Sequence, residues 1–141
     1  MKKTFKSTAL LAFSLILIIA LASCNMFSAK DLWADATYTE DMTFGEGGST
    51  VKVEVKAGDR SVVFTVNTDK TNLADALLEH DLISGEEGQY GLYVKVVNGI
   101  TADYDVDASY WLLYIDGAYA LSGVDSTDIT AGSVYKLEYT K

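Results

Sequence analysis

Val51-Lys52-Val53-Glu54-Val55-Lys56-Ala57-Gly58-Asp59-Arg60-Ser61-Val62-Val63-Phe64-Thr65-Val66-Asn67 decides the fold class. Val51, Val53 and Val55 alternate with Lys52, Glu54 and Lys56. That period of two places one face of a strand in a core and the other in water. Ala57-Gly58-Asp59 is turn chemistry. Val62, Phe64 and Val66 then alternate with Ser61, Thr65 and Asn67, giving the second arm of a hairpin. Val63 is the one apolar residue off that pattern.

C-terminal to the hairpin the period becomes helical. Thr71 or Asn72 can cap a helix, and Asp75 in its first turn favours the positive end of the dipole. Leu73, Ala76, Leu77 and His80 form one stripe, with Leu78 and Leu82 beside it. The helix is expected to end at Ser84-Gly85, with Glu86-Glu87-Gly88 continuing as loop. Residues 92–98 read as a third strand closed by Asn98-Gly99. Residues 110–115 read as a fourth, followed by the Asp116-Gly117 turn and a short partner at 119–121. Residues 134–139 read as the last. A hairpin, one crossing helix and a sheet embracing it describe an α+β, β-grasp (ubiquitin-like) domain over residues 51–141. Its lone helix covers one sheet face and supplies a core without disulfides.

Outward from the domain, Lys2, Lys3 and Lys6 precede an almost unbroken apolar run from Ala9 to Ala20. A basic start, a short apolar stretch and small residues before a cleavage point define an export signal. The run is short for a membrane span, which needs about 20 residues. Leu21-Ala22-Ser23-Cys24 resembles the lipobox of bacterial lipoproteins, whose cysteine is lipidated and becomes the first mature residue. An uncleaved signal anchor, or a secretory signal that leaves Cys24 as a free thiol, are the alternatives. The lipobox reading divides the chain into a signal peptide over 1–23, lipidated Cys24 with an acidic tether over 24–50, and the domain over 51–141. It places the protein on a bacterial cell membrane, lipid-anchored and facing outside the cytoplasm. Two acyl chains anchor stably because each buried methylene contributes about 0.8 kcal/mol.

Cys24 is the only cysteine, so no disulfide forms within the chain. Residues 25–50 are expected to be mostly disordered, although Trp33, Tyr38 and Phe44 could dock on the domain. All 20 acidic residues follow Cys24, and three of the 11 basic ones precede it. Eight basic residues against 20 leave the mature chain at −12. Such a surface repels phosphate backbones and anionic headgroups, so nucleic acid is not an expected partner.

The aromatic residues carry the strongest local signal. If Leu92, Val94 and Val96 face the helix, Tyr93, Lys95 and Val97 face outward. Trp111, Leu113 and Ile115 share one face of the next strand, and Tyr110, Leu112 and Tyr114 share the other. Apolar residues on both faces suggest a patch for a ligand or a protein, or a surface covered by residues 25–50. Asp103-x-Asp105-x-Asp107 suggests a calcium loop, but Ala108 and Tyr114 stand where an EF-hand wants Gly and Glu. A solvated connector is the favoured reading, and no metal site is assigned. His80 is the single histidine, too few donors for a zinc site. With one base candidate and no motif-borne nucleophile, the chain reads as a non-enzyme requiring no cofactor. Asp125, Ser126 and Thr127 form a polar loop, either ligand-facing or shaping a turn.

Tyr90-Gly91-Leu92-Tyr93-Val94, Asn98-Gly99-Ile100-Thr101-Ala102-Asp103, Ser109-Tyr110-Trp111-Leu112-Leu113-Tyr114-Ile115-Asp116-Gly117 and Gly123-Val124-Asp125 together resemble the DUF4430 family over roughly residues 72–139. That family is similar to the C-terminal β-domain of transcobalamin and intrinsic factor. The resemblance implies a β-grasp, ligand-binding domain. In those vitamin B12 carriers the small domain closes over a corrinoid held mainly by a large helical domain. The implied function is capture of a small ligand such as cobalamin or another corrinoid, for hand-over to a transporter or a second binding protein. Tyr93, Tyr110, Trp111 and Tyr114 would stack on it, and Asp125 would give a polar contact. A cell-surface protein-interaction or adhesion module is the alternative.

Overall fold

A computed structural model describes residues 30–141. The signal peptide, the lipobox and Cys24 lie outside the described residues. Within the unit Leu32–Lys141 a 3-10 turn at Leu32–Asp35 is followed by β1 (Met42–Phe44), β2 (Ser49–Ala57), β3 (Arg60–Thr68) and α1 (Leu73–Leu78). Then come β4 (Ile83–Gly88), β5 (Gly91–Val97), β6 (Ile100–Thr101), α2 (Tyr104–Asp107), β7 (Tyr110–Ile115), β8 (Ala118–Tyr119), a 3-10 turn at Val124–Ser126, and β9 (Val134–Thr140). The architecture is α+β, mostly strand with two short helices. One sheet has the order β1-β3-β2-β9-β7-β8, and β4-β5-β6 form another. β2 runs antiparallel to β3 and parallel to β9, and β7 runs antiparallel to β9.

The hairpin register explains the core. Val51 faces Val66, Val53 faces Phe64 and Val55 faces Val62, and none is more than 3% exposed. Leu113, Tyr135 and Leu137 extend this buried layer across β7 and β9, and Leu73, Ala74 and Leu77 of α1 join it. Fully burying each large aliphatic side chain stabilises the fold by about 1.5–3 kcal/mol. Asn72 caps α1, its side-chain oxygen accepting from the N–H groups of Ala74 and Asp75.

Three expectations need correction. First, the described part of residues 25–50 is not a disordered tether from Leu32 onward. Trp33 is 5% exposed, donates its Nε1–H to the Ala57 carbonyl at 2.9 Å, and lies 4.8 Å under the Arg60 guanidinium. Tyr38, Phe44 and Phe64 pack edge to face, with centroids 5.3–5.8 Å apart. The buried Asn98 side chain accepts from the Tyr38 N–H and donates to its carbonyl, and β1 joins β3 in parallel. Aromatic burial outweighs the acidic composition that suggested disorder.

Second, α1 stops at Leu78, not at Ser84-Gly85. Asp81 takes a left-handed φ of 54°, which ends the turn, and Leu82 and Ile83 then enter the core. Glu86-Glu87-Gly88 is strand, paired with β5.

Third, Val97 does not face outward. Ser84 pairs with Val96 while Gly85 pairs with Val94, so Lys95 is an extra residue in β5. A β-bulge of this kind reverses the side-chain parity. Leu92 and Val94 therefore pack on the core before the bulge, and Val97 is buried after it.

Candidate functional site: an aromatic cleft between the sheets

The bulged strand β5 and the strand β7 belong to different sheets and meet along a cleft. Trp111 joins them by donating its Nε1–H to the Lys95 carbonyl at 3.2 Å, and its ring packs edge to face on Tyr139 at 5.7 Å. The cleft holds about 140 Å³ between Leu92, Tyr93 and Val94 on one side and Trp111 and Leu113 on the other, with Gly123 and Val124 closing one end. A neighbouring hollow of about 250 Å³ shares Trp111, Leu113 and Gly123, adds Leu121, and reaches round the free edge of β7 to Leu112 and Tyr119 on its other face. β7 pairs with β8 only at Tyr114 and Ile115, which leaves its Tyr110–Leu113 edge without a strand partner on this side. Tyr93 is 44% exposed, Tyr119 58% and Leu121 97%, so the rim is apolar and open.

Asp125 fixes one end of the cleft. Its Oδ2 accepts from the Leu92 N–H at 2.9 Å, and its backbone carbonyl accepts from the Asn72 side chain at 2.6 Å. The carboxylate lies so close to Gly91 (φ +97°) that a Cβ there would stand 1.8 Å from Oδ2. Only glycine permits this approach. Asp125 Oδ1 is buried without a hydrogen-bond partner. An acceptor in that state is costly unless a donor reaches it.

Behind the cleft, the Lys95 ammonium is held above the ordinary lysine value, first by its hydrogen bond to Glu86 at 3.1 Å and further by the Asp103 carboxylate at 3.7 Å. The cleft thus offers stacking surfaces and apolar contact, with the Asp125 carboxylate buried behind its Gly123 end.

The sequence-predicted residues separate into two groups. Tyr93 and Trp111 line the cleft, and Asp125 sits at its Gly123 end. Tyr110 and Tyr114 alternate with Trp111 and Leu113, which puts them on the opposite face of β7. There Tyr114 lies 4.2 Å from the Lys136 ammonium and packs against Tyr119, while Tyr110 packs against Tyr104. Of the other lining residues, the sequence places Leu92 and Val94 on the core face and Gly123 in the Gly-Val-Asp motif, and gives none of them, nor Leu121, a ligand role. The strand partner expected at 119–121 is shorter, Ala118–Tyr119, and Leu121 beyond it, next to Ser122-Gly123, is the one signal the sequence carries.

Asp105 and Asp107 fall on the single turn α2, and Asp103 stands at its N-terminal cap. Asp103 caps it by accepting from the Asp105 N–H. Asp107 accepts hydrogen bonds from the Ser109 hydroxyl and N–H, which hold its carboxyl below the ordinary value, with Lys141 adding to the effect. Among the described residues no group of three or more His, Cys, Asp or Glu side chains is placed to hold a metal ion. No helix among them is long and apolar enough to cross a membrane.

No curated protein matches the chain in sequence. A crystal structure of a Ruminococcus gnavus ATCC 29149 protein, named for a proposed metal-binding role, is similar at 29% identity and a TM-score of 0.63, over 67% of this chain and 98% of that one. Haptocorrin in complex with Cbi is similar in fold at 21% identity and a TM-score of 0.53, over 70% of this chain. The matched part is only 26% of haptocorrin's length. Residues 70–141, just over half of the chain, match the family described as Domain of unknown function (DUF4430). With the cleft, its tryptophan and the Gly-Val-Asp loop all inside that span, the chain belongs to the DUF4430 family.

Proposed function

We propose that the chain is a non-catalytic binding protein, anchored through lipidated Cys24 on the outer side of a bacterial membrane, whose β-grasp domain takes a small ligand such as a corrinoid at the cleft between β5 and β7. The observation that carries this reading is the open aromatic cleft of Tyr93 and Trp111, with the Asp125 carboxylate packed behind the Gly123 that closes one end. The β-grasp description is supported by β9 lying parallel beside β2, with β3 and β7 outside them and α1 packed on the buried face. The fold shared with haptocorrin supports the ligand class.

The two hollows together reach only the lower end of the range of about 300–1,000 Å³ for small-molecule sites. The domain therefore holds one edge of a large ligand and leaves the rest to a second binding protein or a transporter. An apolar ligand with a flat face suits Trp111 and Tyr93, and an amide or ammonium donor on it would have to uncover Asp125 Oδ1 to bond it. The alternative is a protein-interaction or adhesion module, favoured by the nearly complete exposure of Leu121 and Tyr90.

Calorimetric titration of residues 25–141 with cobinamide and cobalamin tests the first reading. Saturable heat is expected, with affinity falling at least roughly tenfold in Trp111→Ala and unchanged in Tyr110→Ala, which lies on the other face. Absence of heat from both corrinoids would sink stand-alone capture. The anchor is tested separately: Cys24→Ala should move the full chain from the membrane fraction to the soluble fraction, and a variant that still pellets would contradict lipidation.

A further inference from the structure

A second pocket, of about 390 Å³, lies where the loop between β1 and β2 meets the end of β3 and the residues just after α1. It shares no residue with the aromatic cleft. Its walls are held in place. The Asn67 side chain donates to the Gly45 carbonyl at 3.4 Å, and the Gly48 N–H donates to Asp69 Oδ1 at 2.8 Å. Gly45 has a φ of +74°, and a Cβ there would stand 2.1 Å from the Asn67 carbonyl oxygen. A Cβ on Gly47 would come equally close to the Thr68 backbone, so both positions need glycine for the loop to lie where it does.

His80 lines this pocket and tilts against Phe44 at 5.5 Å. Its Nε2 is buried with no hydrogen-bond partner, and Glu79 Oε2 stands 3.8 Å away. Glu46, Asp69 and Glu79 face Lys70 as the one lysine of the lining, so the pocket is negative within a negative chain. No three candidate ligands among the described residues are arranged for a metal ion. A primary ammonium has different needs. It carries three N–H donors, each reaching an acceptor at about 2.9 Å. Two acceptors 3.8 Å apart are close enough for one nitrogen to bridge, provided His80 carries its proton on Nδ1 and offers Nε2 as acceptor.

We infer that this pocket binds an organic ammonium, seated between Glu79 and the His80 imidazole, with Glu46 supplying further negative charge. Nε2 is covered in this structure, where a Cβ on Gly45 would stand 3.1 Å from it, so the ligand has to displace the exposed Glu79 side chain to reach it. The site is independent of the corrinoid reading, and either can fail alone.

His80 is the only histidine in the chain, so its ring gives one resolved set of imidazole signals in a proton–carbon NMR spectrum. Residues 25–141 would be titrated with 1,4-diaminobutane and, separately, with zinc chloride. The expected result is a saturable shift of the His80 ring signals with the diamine, weakened at least roughly tenfold in Glu46→Gln/Glu79→Gln and unchanged in Trp111→Ala. Both substituted glutamates are exposed, so the double variant keeps the fold. Absence of a saturable shift at millimolar diamine would overturn the inference. So would an equal response in the double variant, or saturation by zinc without saturation by the diamine.

Discussion

Hairpin β2–β3 pairs its strands without a slip from Ser49↔Thr68 to Ala57↔Arg60, whereas hairpin β4–β5 slips between Ser84 and Gly85. The first keeps strict alternation, so every inward side chain reaches the same buried layer. The second changes parity in mid-strand at Lys95. Leu92 and Val94 then stay only partly covered, and the strand's edge faces β7 across an open cleft. A regular ladder yields a closed core, and an irregular one leaves apolar surface available. The closed core and the open apolar surface thereby fall to different hairpins.

The largest effect that would test this division is expected at Phe64, which is fully buried. Phe64→Ala should cost about 3–5 kcal/mol in urea unfolding. Tyr93→Ala in the cleft should change stability by no more than about 0.5 kcal/mol. Comparable losses at the two sites would break the comparison.

Trp33→Ala asks whether the regular hairpin includes the segment that precedes it. Loss of the buried ring and of its hydrogen bond to Ala57 should cost about 3 kcal/mol. A loss below about 0.5 kcal/mol would mean that the Leu32–Asp35 turn adds nothing to the fold.

Gly85→Ala sharpens the other side. A Cβ there would stand 1.9 Å from the Tyr93 carbonyl oxygen, a backbone clash beside the bulge. The expected cost is about 1–3 kcal/mol. Amide exchange should accelerate in β4 and β5 and stay slow in β2 and β3. Uniform acceleration would show the two hairpins to be one cooperative unit.

These differences also set what could be read in the chain. Val51 to Val66 displays its parity openly, and Asn72 and Asp116-Gly117 carry local signals that need no tertiary information. The bulge left only one trace, the adjacent apolar pair Val96-Val97, because Leu92 to Val97 carries apolar residues at both parities. The overlong helix arose from Leu82 and Ile83, which continue the apolar stripe with no Gly or Pro before them. Asp81 supplies the left-handed residue instead. β1 has three residues, too few to show a period. Of the cleft, Tyr93 and Trp111 were legible as aromatics. The close fit of Gly91 against Asp125 was not, since it joins residues 34 positions apart through the tertiary fold.

The smallest effect concerns the outer face of the regular sheet, where Tyr110 and Tyr114 lie. Lys136 and Glu138 are two apart on β9 and share that face, with Nζ 2.7 Å from Oε2 and Lys136 over the Tyr114 ring. The hydrogen bond to Lys136 is the main cause that holds the Glu138 carboxyl below its ordinary value of 4.5. The same bond is the main cause that raises Lys136 above 10.5. For Glu138 the folded value is depressed, so its contribution is present above the unfolded value and lost as pH falls through the folded one. For Lys136 the folded value is raised, so its contribution is complete below the unfolded value and lost as pH rises through the folded one. The pair should therefore act as a plateau between those limits. Because both side chains remain partly in water, Glu138→Gln should cost no more than about 1 kcal/mol on that plateau. The variant should lose the part of the acid-side decline that Glu138 supplies while ligand affinity at the cleft stays unchanged. An altered affinity would mean that the two faces of β7 communicate, and that the outer tyrosines belong to the binding surface after all.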